Sequence, residues 1–275
     1  MSDLTKKSIE KVTHPQRSDT AHRQFMDFWK KEQAQSLFAN EEKYLKQTAL
    51  LEELADDKGT LYVLFDLSRY KILYFGQNME TIFGYRNSEL KKRNIQLLFR
   101  ALPAHQLFFP MTLAKWRKKV YAGSAEQLHK MKIKFTYCGL RIKHKKGHEI
   151  PLLVQYHSIS KNEQGQSVAG LVTVDDATHL LKANFYWARS SCEKNKKCIG
   201  HYHSKRETGH MNDIISEREK EILRLIALGH RSKKIGEQLF ITQNTVEKHR
   251  KNMLARTGAK DTTALVHICR RFGII

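Results

Sequence analysis

Two groups of residues have the types and spacing to do chemistry. Asn244, Lys248 and Lys251 fall on one side of any helix with 3.6 residues per turn, and Glu247 lies beside them. An amide, two ammonium groups and a carboxylate on one helix face can exchange hydrogen bonds with base-pair edges. The same row also fits an ordinary solvated surface. The second group is Cys192, Cys198, His201 and His203. Thiolates and imidazoles bind zinc, but structural zinc sites favour two to four residues between cysteines, and five separate this pair. The group is read as incidental to a polar stretch, and no metal is expected. The sequence holds no P-loop, no dinucleotide-binding glycine turn, no nucleophile elbow and no helical His-Glu-x-x-His. No catalytic residues are expected.

The first group needs helices to position it, and residues 213–275 have helical periodicity throughout. Ser216-Glu217-Arg218-Glu219 reads as a capping box, with Ile222, Leu225 and Ile226 as the apolar stripe and Gly229 as the stop. Ser232 is expected to cap a second, short helix, with Ile235 and Leu239 inward and Gly236 admitting a close neighbour. Phe240-Ile241 forms a turn, and Thr242 caps a third helix that runs to about Gly258. Val246, Met253 and Leu254 mark its inner face, opposite Asn244, Lys248 and Lys251. Two short helices joined by a tight turn can lay the second in a major groove. A fourth helix, Thr262–Phe272, carries Leu265, Ile268 and Phe272 on one side and Val266 and Cys269 on another.

Charge agrees with a polyanionic partner. The chain of 275 residues carries a formal net charge of +21. Residues 1–59 are net −1 and residues 60–181 are net +11, so the excess begins after the first segment. Nucleic acid is the first partner such a surface suggests and an anionic membrane the second. No apolar run is long enough for a membrane helix, no signal peptide is visible, and four scattered cysteines suit a reducing cytoplasm.

Upstream, residues 1–19 read as a polar tail and 20–56 as amphipathic helix, with apolar points such as Phe25, Trp29, Leu45 and Leu54. Leu61–Phe65 and Ile72–Phe75 read as strands, with a turn at Asp66-Leu67-Ser68-Arg69. Met131, Ile133, Phe135 and Tyr137 alternate with polar residues, the period of a half-buried strand. Gly139 is a plausible bulge, Lys145-Lys146-Gly147-His148 a hairpin turn, and Ile150–Tyr156 and Val168–Val174 further strands. The expected class is α+β: an antiparallel sheet over 60–181, a basic linker at 182–212, and an all-α unit at 213–275.

Ile215–Leu223, Lys233–Leu239 and Ile241–His249 resemble the LuxR/GerE-type helix-turn-helix domain over about sixty residues. That resemblance implies double-stranded DNA as partner and transcription regulation as function. By it, Lys248 and Lys251 fall where the family contacts bases, and Thr242, Thr245 and Lys233 where it holds phosphates. It gives His249 a structural role and the fourth helix a dimerising one. Glu247 stands where the family often has Lys, so the family's operator preference does not carry over, and Thr257 replaces a usual apolar residue. Asn244 and Glu247 join the DNA-binding set by their place on the outer face.

Residues 60–180 resemble a PAS domain through Ile82–Leu90, Ile142–Pro151 and the closing Val174-Asp175-Asp176-Ala177-Thr178. The resemblance implies a sensor or dimerisation domain. Ile95 follows Arg93-Asn94 where the flavin-adduct class has Cys, and only His105 and His129 offer themselves as haem ligands, so no fixed cofactor is expected. A small-molecule or protein ligand at this domain is left open. The expected protein is a cytoplasmic, homodimeric, non-enzymatic DNA-binding regulator without a membrane partner. The alternatives are a PAS-based protein-interaction module, with DNA binding only localising it, and a haem, zinc or ligand sensor.

Overall fold

The computed structural model describes residues 59–66, 71–86, 88–89, 100–107, 111–112, 115–116, 133–161, 167–206, 208–210 and 212–275. The expected tail, the amphipathic segment, most of the first turn and His129 lie outside the described residues.

Eight strands form one antiparallel sheet. In chain order they are β1 (Thr60–Asp66), β2 (Lys71–Phe75), β3 (Ile133–Lys143), β4 (Glu149–Lys161), β5 (Ser167–Asp176), β6 (Trp187–Cys192), β7 (Cys198–His203) and β8 (Thr208–His210). Their spatial order is β2-β1-β5-β4-β3-β6-β7-β8. A short helix, α1 (Met79–Phe83), follows β2, and the first five strands make the expected antiparallel sheet. Four helices end the described chain: α2 (Glu217–Ala227), α3 (Ser232–Leu239), α4 (Gln243–Thr257) and α5 (Thr262–Arg271). The class is α+β.

The period-2 pattern decides what each face of the sheet carries. Phe135, Tyr137 and Tyr156 point into one apolar layer, and Leu61, Val63, Val174, Met79 and Phe83 continue it under α1. Their neighbours Cys138, Leu153 and Trp187 point the other way, into the core of the helical unit. The bulge falls where expected. The β3–β4 register shifts between Cys138 and Leu140, and Gly139 has φ +85 with its missing Cβ only 2.5 Å from the Phe185 carbonyl oxygen. The turn after β3 closes with His144 N–H donating to His148 O at 2.8 Å.

The expected linker at 182–212 is corrected: most of it is sheet. β6 pairs with β3, β7 with β6, and β8 with β7. Its Lys, Asn, Ser and His content suggested solvent, yet Trp187, Arg189, Ser190, Ser191, His201 and His203 are all buried. A polar strand can be buried when its groups find partners across the layers, and Arg189, His201 and His203 each do so through at least one atom. Arg189 reaches Asp213, His201 Nδ1 lies 2.7 Å from Asn212 O, and His203 Nε2 3.0 Å from Arg256 O.

This extension joins sheet and helices into one core. Trp187 sits edge-on against Phe272, ring centroids 5.6 Å apart. Its indole N–H donates to Thr257 O at 3.0 Å. Lys260 N–H donates to Leu180 O at 2.8 Å and Lys182 N–H to Gly258 O at 3.1 Å. Arg271 Nε donates to Asp175 at 2.8 Å. A second correction follows. The Val266–Cys269 side of the fourth helix, expected to be free for pairing, is used within the chain: Cys269 is buried in the shared core, and Val266 is half-buried against it.

Candidate nucleic-acid interface

Local sequence builds the helix starts. Ser216 Oγ accepts from Glu219 N–H at 3.3 Å, while the Glu219 carboxylate accepts from Ser216 N–H at 2.9 Å, which completes the capping box. Gly229, at φ +84, turns the chain after α2. The expected Ser232 cap is corrected. Arg231 occupies the cap position with no side-chain bond. Ser232 is buried, its hydroxyl donating to the Glu247 carboxylate and accepting from Arg250 Nη1. Ser232 is one residue too late to cap, being the first helical residue, and a charged acceptor within reach draws its hydroxyl inward. Gly236 lets the turn close: a Cβ there would lie 2.6 Å from Ile241 O. Thr242 caps α4 as expected, accepting from Thr245 N–H at 3.1 Å.

α4 is two-sided. Val246 and Met253 are fully buried, and Asn244, Lys248 and Lys251 are exposed opposite them. Lys233 is exposed at the start of α3. Thr245 is half-buried, its hydroxyl 2.9 Å from that of Thr242. Glu247 is exposed beside the row and is also tied into the fold. Its carboxylate takes the Ser232 hydroxyl and Arg250 Nη1, the latter at 3.2 Å, and so clasps α3 to α4. Arg250 continues the clasp to Thr262 Oγ1 at 3.1 Å. His249 is half-buried on the flank. Thr257 ends the helix from inside: it is buried, and its hydroxyl donates to Met253 O at 2.8 Å. Gly258 follows at φ +75. The arrangement presents one amide and two cations on a rigid convex face, a shape and charge that suit a groove in duplex DNA.

Residues 213–269 match the family model described as bacterial regulatory proteins, luxR family. The C-terminal helices are a LuxR-type helix-turn-helix domain. Two curated relatives agree over the same share of chain. The "Oxygen regulatory protein NreC" of Staphylococcus aureus strain MRSA252 and that of strain JH9 are each 41% identical over 66 residues, 23% of this chain. The matched stretch spans only 30% of the length of these relatives. Among solved structures, the PAS domain of a Colwellia psychrerythraea protein is 20% identical, covering 50% of this chain and 98% of that one, at a TM-score of 0.33. A structure of the Vibrio cholerae VqmA dimer is 16% identical, covering 83% and 89%, at 0.29. Superpositions this loose carry no weight beside the strand order itself.

Where the LuxR-type domain meets the sheet, charges are paired and dry. Arg189 donates from Nε and Nη2 to the Asp213 carboxylate at 2.9 and 3.0 Å. Lys220 Nζ lies 2.9 Å from the same carboxylate and 2.7 Å from Glu217. Burial alone would raise the Asp213 carboxyl, but the hydrogen bonds and charges of Arg189 and then Lys220 outweigh it and hold the group below the usual carboxylate range. Glu219 is held low in the same way, burial opposing and Arg256 prevailing. His201 and His203 are both lowered, first by burial. None of these residues entered the expected site. The one signal in the sequence was the clustering of His and Cys at 192–203, which invited a metal reading instead.

The cofactor candidates are scattered. His105 is exposed and 3.2 Å from its neighbour Gln106 rather than aimed at the apolar layer. His201 and His203 are bonded to backbone carbonyls, and Cys198 donates to Asn212 O at 3.7 Å. Burial, then Asp213, pushes the Cys198 thiol up to about 12. Among the described residues no three His, Cys, Asp or Glu side chains converge on a metal position. No described helix is long and apolar enough to cross a membrane.

Proposed function

We propose that this chain is a transcription regulator that binds duplex DNA sequence-specifically through its LuxR-type domain, with the PAS-like sheet as its sensor or dimerisation unit. One observation carries the reading: Asn244, Lys248 and Lys251 stand exposed on the side of α4 opposite its buried Val246 and Met253. A docked helix presents only that side to base edges. Lys233, the capping Thr242 and Thr245 next to it take phosphates, and Glu247 ties α3 to α4. The sheet unit runs to 212, and the DNA-binding unit begins at Asp213. The protein works in the cytoplasm as a homodimer on a two-fold site, with half-sites about 10 base pairs apart. It catalyses no reaction and keeps no fixed cofactor, and its PAS-like unit takes a small-molecule or protein ligand. Because the second face of α5 is occupied, the apolar stripe within residues 20–56 is the better candidate for pairing.

The test is selection of bound sequences from random duplexes, followed by salt titration of two variants. Lys233→Ala should weaken selected and scrambled duplexes alike and lower the salt slope by about 1. Lys248→Ala should weaken the selected duplex and flatten discrimination at one base pair. Recovery of no common sequence from the selection would instead favour a protein-interaction module. Sedimentation that finds monomer both free and on DNA would remove the homodimer.

A further inference from the structure

The sheet extension places cations around the far end of the proposed recognition helix. Lys182, Lys205, Arg206 and Lys260 are all exposed. Each belongs to a segment bonded to the last turn of α4 or to the loop after it. Lys182 N–H donates to Gly258 O, and Lys260 N–H to Leu180 O. His203, whose ring meets Arg256 O at 3.0 Å, directly precedes the short 3-10 turn Ser204–Arg206 that carries Lys205 and Arg206. Ser204 is itself pinned, its N–H donating to Tyr186 O at 3.0 Å and its hydroxyl accepting from Tyr186 N–H at 2.9 Å. Among the described residues none of the four cations is ion-paired. The nearby carboxylate of Asp261 is spent on capping α5, accepting from Ala264 N–H at 2.8 Å.

Helix length says what such a cluster would meet. α4 has 15 residues, about 22 Å at 1.5 Å each, whereas a major groove is about 12 Å wide. With Asn244 and Lys248 in the groove, the last turns of α4 emerge over its wall, where the phosphates are. A bare helix C-terminus carries partial negative charge and would repel them. Here the last carbonyls already receive the Trp187 indole, the His203 ring and Lys182 N–H, and lysines and an arginine stand around them.

The geometry points to a second DNA contact, made by the sheet unit: Lys205 and Arg206, with Lys182 and Lys260 beside them, hold backbone phosphates that flank the half-site read by α4. This contact rests on the proposed DNA-binding function and extends it to a part of the chain outside the LuxR-type domain. It is electrostatic, so it adds affinity and footprint without sequence information.

The experiment uses the full chain on a selected duplex and a scrambled one, with hydroxyl-radical footprinting and salt titration. The variants are Lys205→Ala with Arg206→Ala, and separately Lys248→Ala. Thermal melts serve as the folding control, since both side chains are exposed. The double variant should bind both duplexes about tenfold more weakly, with a salt slope lower by about 2, and lose protection only at the flanking phosphates. An unchanged slope and footprint in the double variant, while Lys248→Ala still loses discrimination, overturns the flanking contact and leaves the DNA-binding function standing. If Lys248→Ala and the wild type bind both duplexes alike, the underlying reading fails, and the flanking contact with it.

Discussion

The two ends of α4 are built to opposite rules. At its start Asn244, Lys248 and Lys251 are exposed, no ion pair holds either lysine among the described residues, and the neighbouring acid, Glu247, is tied back to Ser232 and Arg250. At its end the buried Trp187 and His203 bond to the carbonyls of Thr257 and Arg256, and elsewhere along the seam the buried Arg189 and Lys220 share the Asp213 carboxylate. Unpaired charge in water costs the fold little and is free to meet a ligand. Unpaired charge in the seam would cost several kcal/mol, so there every ion must have a counter-ion. One helix thus serves recognition at one end and attachment at the other. Substitutions should separate the two.

The largest expected effect is at the seam. Trp187→Ala removes the side chain that inserts between the sheet and Phe272, and should cost about 3–5 kcal/mol of stability. Urea denaturation checks this, and an unchanged midpoint would mean that the sheet and the helices are not one cooperative core. Asp213→Asn should cost a similar amount, about 3–5 kcal/mol, because it strands the Arg189 guanidinium, which is 1% exposed, next to Lys220. The pH dependence has a definite sign. Asp213 is held low in the folded protein. Its contribution is therefore complete above the unfolded carboxylate value and is lost as pH falls through the lowered folded one. Stability measured against pH should lose part of that acid limb in Asp213→Asn.

Lys248→Ala sharpens the contrast from the other side. It should leave the denaturation midpoint within about 0.5 kcal/mol of wild type while costing about 1–3 kcal/mol of binding on the selected duplex. A large loss of stability would place Lys248 in the fold rather than on the reading face. The smallest effect is a pH response of the seam. Burial lowers His203 first, against its bond to the Arg256 carbonyl, and the charges of Arg206 and Lys205 push the same way as burial. Protonation therefore opposes docking. The seam should be at full strength above the ordinary histidine value of about 6.5 and weaken as pH falls through it toward the lowered folded value. His203→Gln, which keeps a donor for the Arg256 carbonyl, should flatten that response in amide-exchange measurements of β7, and an equal response in the variant would exclude His203 as its source.

Much of both halves was legible in the residues because the causes are local. The Ser216 and Thr242 caps, the Gly229 and Gly258 stops, the buried Val246 and Met253, and the bulge at Gly139 each depend on neighbours a few positions away. The readings that failed depended on partners far along the chain. The residue type of Ser232 suggests a cap, but Arg231 holds the cap position, and the Ser232 hydroxyl instead donates to Glu247, fifteen residues on. Residues 182–212 were assigned to a linker because their polarity is normally solvated. Only the approach of Asp213, Asn212 and Arg256 makes burying Arg189, His201 and His203 affordable.

By itself the sequence determined the LuxR-type helices, their order and the side of α4 that faces outward, since periodicity and capping act within single elements. It also determined the alternation that gives β3, β4 and β5 two different faces. The tertiary structure alone decided that β6, β7 and β8 extend the sheet, that Trp187 and Cys269 share one core, and that Glu247 also ties α3 to α4. The physical reason is range. Helix caps and strand alternation are settled by neighbours in the chain, whereas a buried charge or hydroxyl takes its role from whichever distant group neutralises it, and no local pattern names that group.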